Sequence, residues 1–116
     1  MNAQIKAAWI AALRSGEYKQ GQGRLRFGDE FCCLGVLCDL AFKQGLGKWE
    51  GFAFKSNGFH LVATVLPPPI ADWAGLEQID PTINKQGISI YNDGSASDNI
   101  DPRPFSEIAA LIEKYL

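Results

Sequence analysis

Apolar positions recur along this chain with two different periods, and the alternation between them predicts its elements. Ile5, Ala8, Trp9, Ala12 and Leu13 fall at i, i+3, i+4, i+7 and i+8, one helical stripe. Asn2 stands where an N-cap belongs, and Gly16 where a C′ glycine closes a helix. Arg24-Leu25-Arg26-Phe27 alternates strictly, which predicts a half-buried strand with Leu25 and Phe27 inward and both arginines outward. Gly28-Asp29 is a turn signal. A second helix is expected from about Phe31 to about Gly45, with Leu34, Leu37, Cys38 and Ala41 on one stripe. Cys33, Val36 and Leu40 widen that stripe beyond what a surface helix needs, so this helix should be covered on more than one side. Gly35 in its middle costs about 1 kcal/mol relative to alanine. That cost makes sense where another backbone or a ligand comes close.

The second half of the chain is built from shorter signals. Trp49–Phe54 and Phe59–Leu66 are apolar runs flanking Lys55-Ser56-Asn57-Gly58, a pattern that predicts a hairpin turning at Asn57-Gly58. Prolines 67 to 69 end the second run, because they cannot pair in a ladder. Pro69 to Gly75 reads as two helical turns with Ile70, Trp73 and Ala74 inward. Ile88–Asn92 alternates and runs into Asn92-Asp93-Gly94, a strand followed by a turn. Residues 93–103 are rich in Asp, Ser, Asn and Pro and read as a loop. Phe105, Ile108, Ala109, Ile112 and Leu116 make one face of a last helix. The sum is a compact α+β fold: a single domain, residues 1–116, with three main helices packed on a small, mainly antiparallel β-sheet.

Composition narrows the class without naming a function. The 116 residues are 47% apolar and 21% charged, an ordinary globular balance for one domain. No apolar run approaches the ~18 residues of a membrane span, and the amphipathic N-terminus lacks a signal-peptide pattern. Net charge is −2, which gives no general attraction to nucleic acid. The charge is unevenly placed. Residues 1–28 carry Lys6, Arg14, Lys19, Arg24 and Arg26 against Glu17 alone, whereas residues 72–116 carry eight acids against Lys85, Arg103 and Lys114. Either the two halves complement each other in the fold, or the molecule has a basic and an acidic face.

The three cysteines invite chemistry. An odd count argues against a closed disulfide framework, so the thiols are expected to be reduced. Cys32, Cys33, Cys38 and His60 lack the paired Cys-x2–4-Cys spacing of a structural zinc site, and no metal is expected. Cys32 near a helix start, with His60 as the sole histidine base, is a weak candidate for a catalytic nucleophile. Against it stands the tendency of free cysteine to fill cores. Gln20-Gly21-Gln22-Gly23-Arg24 has neither a dinucleotide fingerprint nor a phosphate-loop ending, and no cofactor is expected.

The stronger candidate is a binding segment. Tyr18, Lys19, Gln20, Gln22, Arg24 and Arg26 combine an aromatic, two amides and three cations, spaced by glycines that let backbone N–H groups approach a ligand. The plain alternative is a charged, solvated sheet edge. Tyr91, Asn92 and Asp93 form a second polar candidate, with turn initiation as its plain alternative.

Several phrases of the chain occur together in one known group. Trp9 with the run to Gly21, the stretch Phe31–Leu40, Leu66 to Leu76, Tyr91–Asp93 and Phe105–Glu113 resemble a widespread group of small uncharacterised proteins of tailed bacteriophages and prophages. Pro102 and Pro104 depart from it, standing where a Ser or Thr cap would be more usual. The resemblance implies a phage accessory protein of the bacterial host cytoplasm, without implying an activity. The function expected is non-enzymatic binding of a host factor or a small anionic, nucleotide-like ligand. A small hydrolase or nuclease acting on nucleotides, or a nucleic-acid-binding module, is the alternative.

Overall fold

The computed structural model describes residues 1–116. Its first element, helix α1 (Ala3–Arg14), begins where Asn2 Oδ1 accepts the Ile5 N–H at 3.0 Å and ends before Gly16, at φ 78°. α1 lies between the second helix, α2 (Cys33–Lys43), and the last, α5 (Phe105–Tyr115). This sandwiching changes its buried face. Trp9, Ile10 and Leu13 are buried, Ile5 and Ala12 only partly, and Ala8 is exposed. Trp9 Nε1 donates to the Cys33 carbonyl at 2.9 Å, tying α1 to the first turn of α2.

α2 is the centre of the molecule. Residues 33–38 are wholly buried within a core cluster of 24 residues. The helix starts two residues later than the pattern predicts. Phe31 belongs to a strand, β3 (Glu30–Phe31), which pairs in parallel with β1 (Lys19–Gln20) and antiparallel with β2 (Arg26–Phe27). Cys32 is the N-cap, its Sγ accepting the Gly35 N–H at 3.4 Å.

The expected strand 24–27 is half that length, and its inward face is different. Leu25 is fully buried, but Phe27 is 63% exposed. Leu25 leaves the ladder because its N–H donates to the Ala63 carbonyl at 2.7 Å and its carbonyl accepts from the Cys32 N–H at 3.2 Å. The chain bends there, and Phe27 turns outward.

A second sheet has the order β4 (Gly47–Glu50), β5 (Ala53–Ser56), β6 (Leu61–Val62), all antiparallel. Its tight turn is at Gly51-Phe52, with Gly51 at φ 62°, and the Asn57-Gly58 turn joins β5 to a strand of only two residues. The rest of the expected strand 59–66 is diverted: Ala63 pairs with Leu25, and the Leu66 N–H donates to the Ile79 carbonyl at 3.0 Å. Helix α3 (Pro68–Ala74) closes on Gly75 at φ 71°, with Ile70, Ala71 and Ala74 buried and Trp73 half-buried.

A hairpin of β7 (Thr82–Ile83) and β8 (Gln86–Gly87) follows. Its two-residue loop, Asn84-Lys85, has φ 51° and 69°, the left-handed pair a type I′ turn requires. The expected strand 88–92 is instead a short helix, α4 (Ile88–Asp93). Asp80 decides this. Its carboxylate accepts the Ser89 N–H at 3.0 Å and the Ser89 hydroxyl at 2.6 Å, satisfying donors at the helix start from outside the helix. A Cβ at Gly87 would collide with that carboxylate.

The fold is therefore α+β, but with five helices rather than three, and with three small sheets rather than one. The helices pack chiefly on one another, and the sheets sit around them, because no strand exceeds four residues. No helix is long and apolar enough to cross a membrane.

Candidate binding face

The two polar segments singled out in the sequence meet in space. Gln20 Nε2 donates to Asn92 Oδ1 at 3.0 Å and to the Arg103 carbonyl at 2.8 Å, while Gln20 Oε1 accepts the Phe105 N–H at 3.0 Å. Asn92 is fully buried. Its Oδ1 also accepts the Cys33 N–H at 3.1 Å, and its Nδ2 donates to the Gly21 carbonyl at 2.9 Å and to Asp93 Oδ1 at 2.8 Å. Asp93 further accepts the Gly23 N–H at 3.0 Å. Tyr91 is buried, its hydroxyl donating to the Ile83 carbonyl at 2.9 Å. Gln20, Tyr91, Asn92 and Asp93 thus spend their polar atoms on internal bonds. Gln20, Asn92 and Asp93 anchor the starts of α2 and α5 to the glycine-rich loop.

Tyr18 is also engaged. Its hydroxyl donates to Asp39 Oδ2 at 2.5 Å, and Lys43 Nζ donates to the same hydroxyl at 3.1 Å. Trp49 Nε1 donates to Asp39 Oδ1 at 3.0 Å, so both oxygens of a carboxylate only 13% exposed are satisfied. Burial, then the hydrogen bond to Asp39, raises the pKa of the Tyr18 phenol. The Phe31 ring fills the space between Tyr18 and Trp49, edge-to-face with both. Lys19 is paired with Glu30 at 3.6 Å, and Gln22 is exposed without a protein partner.

Arg24 and Arg26 are placed differently. The Arg26 guanidinium lies 4.7 Å from the Trp49 ring centre, and its Nε donates to the Gly51 carbonyl at 3.2 Å. The Arg24 guanidinium lies 4.3 Å from the Phe52 ring centre and 5.4 Å from that of Phe27. Phe52 is 44% and Phe27 63% exposed, and Arg24 has no carboxylate partner. The result is an open face in which cations and phenyl rings alternate. The arginines are legible in the sequence, and the rings are not. Phe27 was expected inward, and Phe52 carries no signal beyond its place after Gly51. Surface depressions of about 250–510 Å³ lie elsewhere, lined by none of these four side chains.

All three cysteines are free and buried. Burial pushes the Cys32 thiol up to about 11, outweighing the backbone N–H groups at the helix start that lower it. Burial holds Cys33 and Cys38 well above the ordinary thiol range as well. His60 is exposed, its ring against Phe59 with centroids 4.1 Å apart. No three His, Cys, Asp or Glu side chains converge as a metal site would require.

No curated protein and no solved structure matches the chain. A family model described as a domain of unknown function (DUF8296) does match it, over residues 1–116, and the chain belongs to that family.

Proposed function

We propose that this protein is a non-enzymatic binding module that engages an acidic surface of a partner protein through Arg24, Arg26, Phe27 and Phe52. One observation carries the reading: the Arg24 guanidinium rests against two exposed phenyl rings and has no carboxylate partner within the chain. Aromatic and arginine side chains are the types that dominate interface energetics. A guanidinium already stacked on rings meets a carboxylate with less rotamer entropy to lose. The openness of the face favours a macromolecular partner over the small nucleotide-like ligand, which would need a concave site. Buried, protonated thiols and the lone exposed histidine favour binding over a hydrolase or nuclease. In the biological setting we infer, the protein is a phage accessory factor, its partner a host factor met in the bacterial cytoplasm, and counter-defence its role.

The test is site-specific photocrosslinking from position 27 in bacterial lysate. We expect capture of a defined protein, lost when Arg24 and Arg26 are both changed to Ala in the crosslinking chain. Capture that is identical in that double variant would overturn the reading. Nuclease-sensitive capture would point instead to a nucleic-acid partner.

A further inference from the structure

A second cationic feature lies on the hairpin of β4 and β5, away from the arginines. The antiparallel register puts Lys48 directly opposite Lys55. Both are exposed and neither makes an ion pair. Directly opposed side chains have Cβ atoms about 5 Å apart, and like charges there are destabilising. Glu50, two residues along the same face, is paired with neither lysine. The hairpin therefore sets two ammonium groups opposite each other with no ion pair to either.

The surroundings suit an anion. Lys48, Glu50, Lys55, Ser56, Asn57 and Gly58 line one depression of about 370 Å³ that contains no hydrophobic side chain. The turn at its end is held from behind: the Asn57 N–H donates to the Leu46 carbonyl at 3.1 Å and Asn57 Nδ2 to the Gly45 carbonyl at 2.9 Å. Gly58, at φ 76°, has an N–H that donates to no protein acceptor.

We propose that this depression binds a phosphate group, free or as the monoester of a small molecule, between the ammonium groups of Lys48 and Lys55. A phosphate dianion removes the lysine–lysine repulsion by bridging it, and it offers enough acceptor oxygens for both ammoniums and the Gly58 N–H. Glu50 opposes the anion and keeps binding weak. The site shares no residue with the arginine face, so either proposal stands without the other.

The experiment is an amide NMR titration of the full chain with inorganic phosphate, then with adenosine monophosphate, at fixed pH and ionic strength. We expect saturable shifts at Gly58 and in the 48–58 hairpin. With Lys48→Gln and Lys55→Gln together, the midpoint rises by about tenfold or more, as the loss of a charge-assisted bond implies. Glu50→Gln shifts the midpoint the opposite way. Equal midpoints for the two ligands assign recognition to the phosphoryl group alone, whereas a lower midpoint for the nucleotide adds its ester portion; both support the site. The spectra themselves report whether each variant is folded. Linear, non-saturating drift, or a midpoint unchanged in the lysine variant, overturns the proposal. So does a midpoint that moves only when Arg24 and Arg26 are replaced.

Discussion

Gly35, in the first turn of α2, lies directly against the backbone of Leu25, and a Cβ at position 35 would stand only 1.7 Å from the Leu25 carbonyl oxygen. That carbonyl also receives the Cys32 N–H, so the same peptide group meets the start of α2 at two points. Replacing Gly35 by Ala improves helix propensity by about 1 kcal/mol, yet it forces apart two backbones that have no free volume between them. We expect Gly35→Ala to lose about 3 kcal/mol or more, measured by urea denaturation. A variant as stable as the parent would mean that Leu25 is not seated there.

Asn92 is the second point on which distant segments depend. It is fully buried, and its amide serves Gln20, Gly21, Cys33 and Asp93. Asn92→Ala strands the Cys33 N–H and the Gly21 carbonyl, each costing about 1–3 kcal/mol when buried without a partner. Loss of about 3 kcal/mol or more is expected, together with faster amide exchange at Cys33, whose N–H donates to Asn92. A loss below about 1 kcal/mol would exclude this role.

The buried thiols give the protein an alkaline limit. Folding raises the Cys32 pKa to about 11 from an ordinary value near 9, and raises those of Cys33 and Cys38 in the same direction. Above the ordinary value the unfolded chain has lost protons that the native state retains, so stability must fall as pH rises. The stabilisation is complete below about pH 8.5 and declines through about pH 11 for Cys32. Each thiol contributes a slope of about 1.4 kcal/mol per pH unit in that window. Denaturation at a series of alkaline pH values checks this, and Cys32→Ser should make the slope shallower.

The exposed face should be dispensable for folding. Arg24 and Arg26 make surface cation–π contacts worth about 0.5–1 kcal/mol each, so Arg24→Ala with Arg26→Ala should cost no more than about 2 kcal/mol. Phe52→Ser should change stability by less than about 1 kcal/mol while abolishing partner capture from position 27. Thermal melts and crosslinking on the same preparations separate the two effects. Unfolding of either variant would reassign these side chains to structure.

The elements read best in the sequence are those whose signal is local. α3 and α5 follow their apolar stripes and α1 its terminal signals, with Gly16 and Gly75 both at positive φ beyond the helix ends. The near-continuous apolar run from Phe31 to Ala41 marked α2 as covered on several sides, and Gly35 marked a close approach by a backbone or a ligand, which proves to be the Leu25 backbone. Asn57-Gly58 was a less faithful guide, because its strong turn chemistry fits a connection to a two-residue strand as well as a long hairpin. The β7–β8 hairpin left little trace, since Lys85 is a poor advertisement for a left-handed turn position.

What the sequence alone determined, then, is the set of helices whose stripes are complete within a few turns, and the burial of all three thiols. What only the tertiary structure decided depends on partners remote in the chain. Residues 88–93 are helical because the Asp80 carboxylate reaches their first turn. Phe27 faces outward because Leu25 is claimed by Ala63 and Cys32. Segments 18–26 and 91–93 were both legible as polar and unusual, but their hydrogen bonds to each other span some seventy residues. That pairing turned Gln20 and Asn92 into anchors and left Arg24 and Arg26 facing out among the rings. A period of 3.6 or 2 records which face of an element is apolar; it holds no information about which distant carbonyl or carboxylate will meet it.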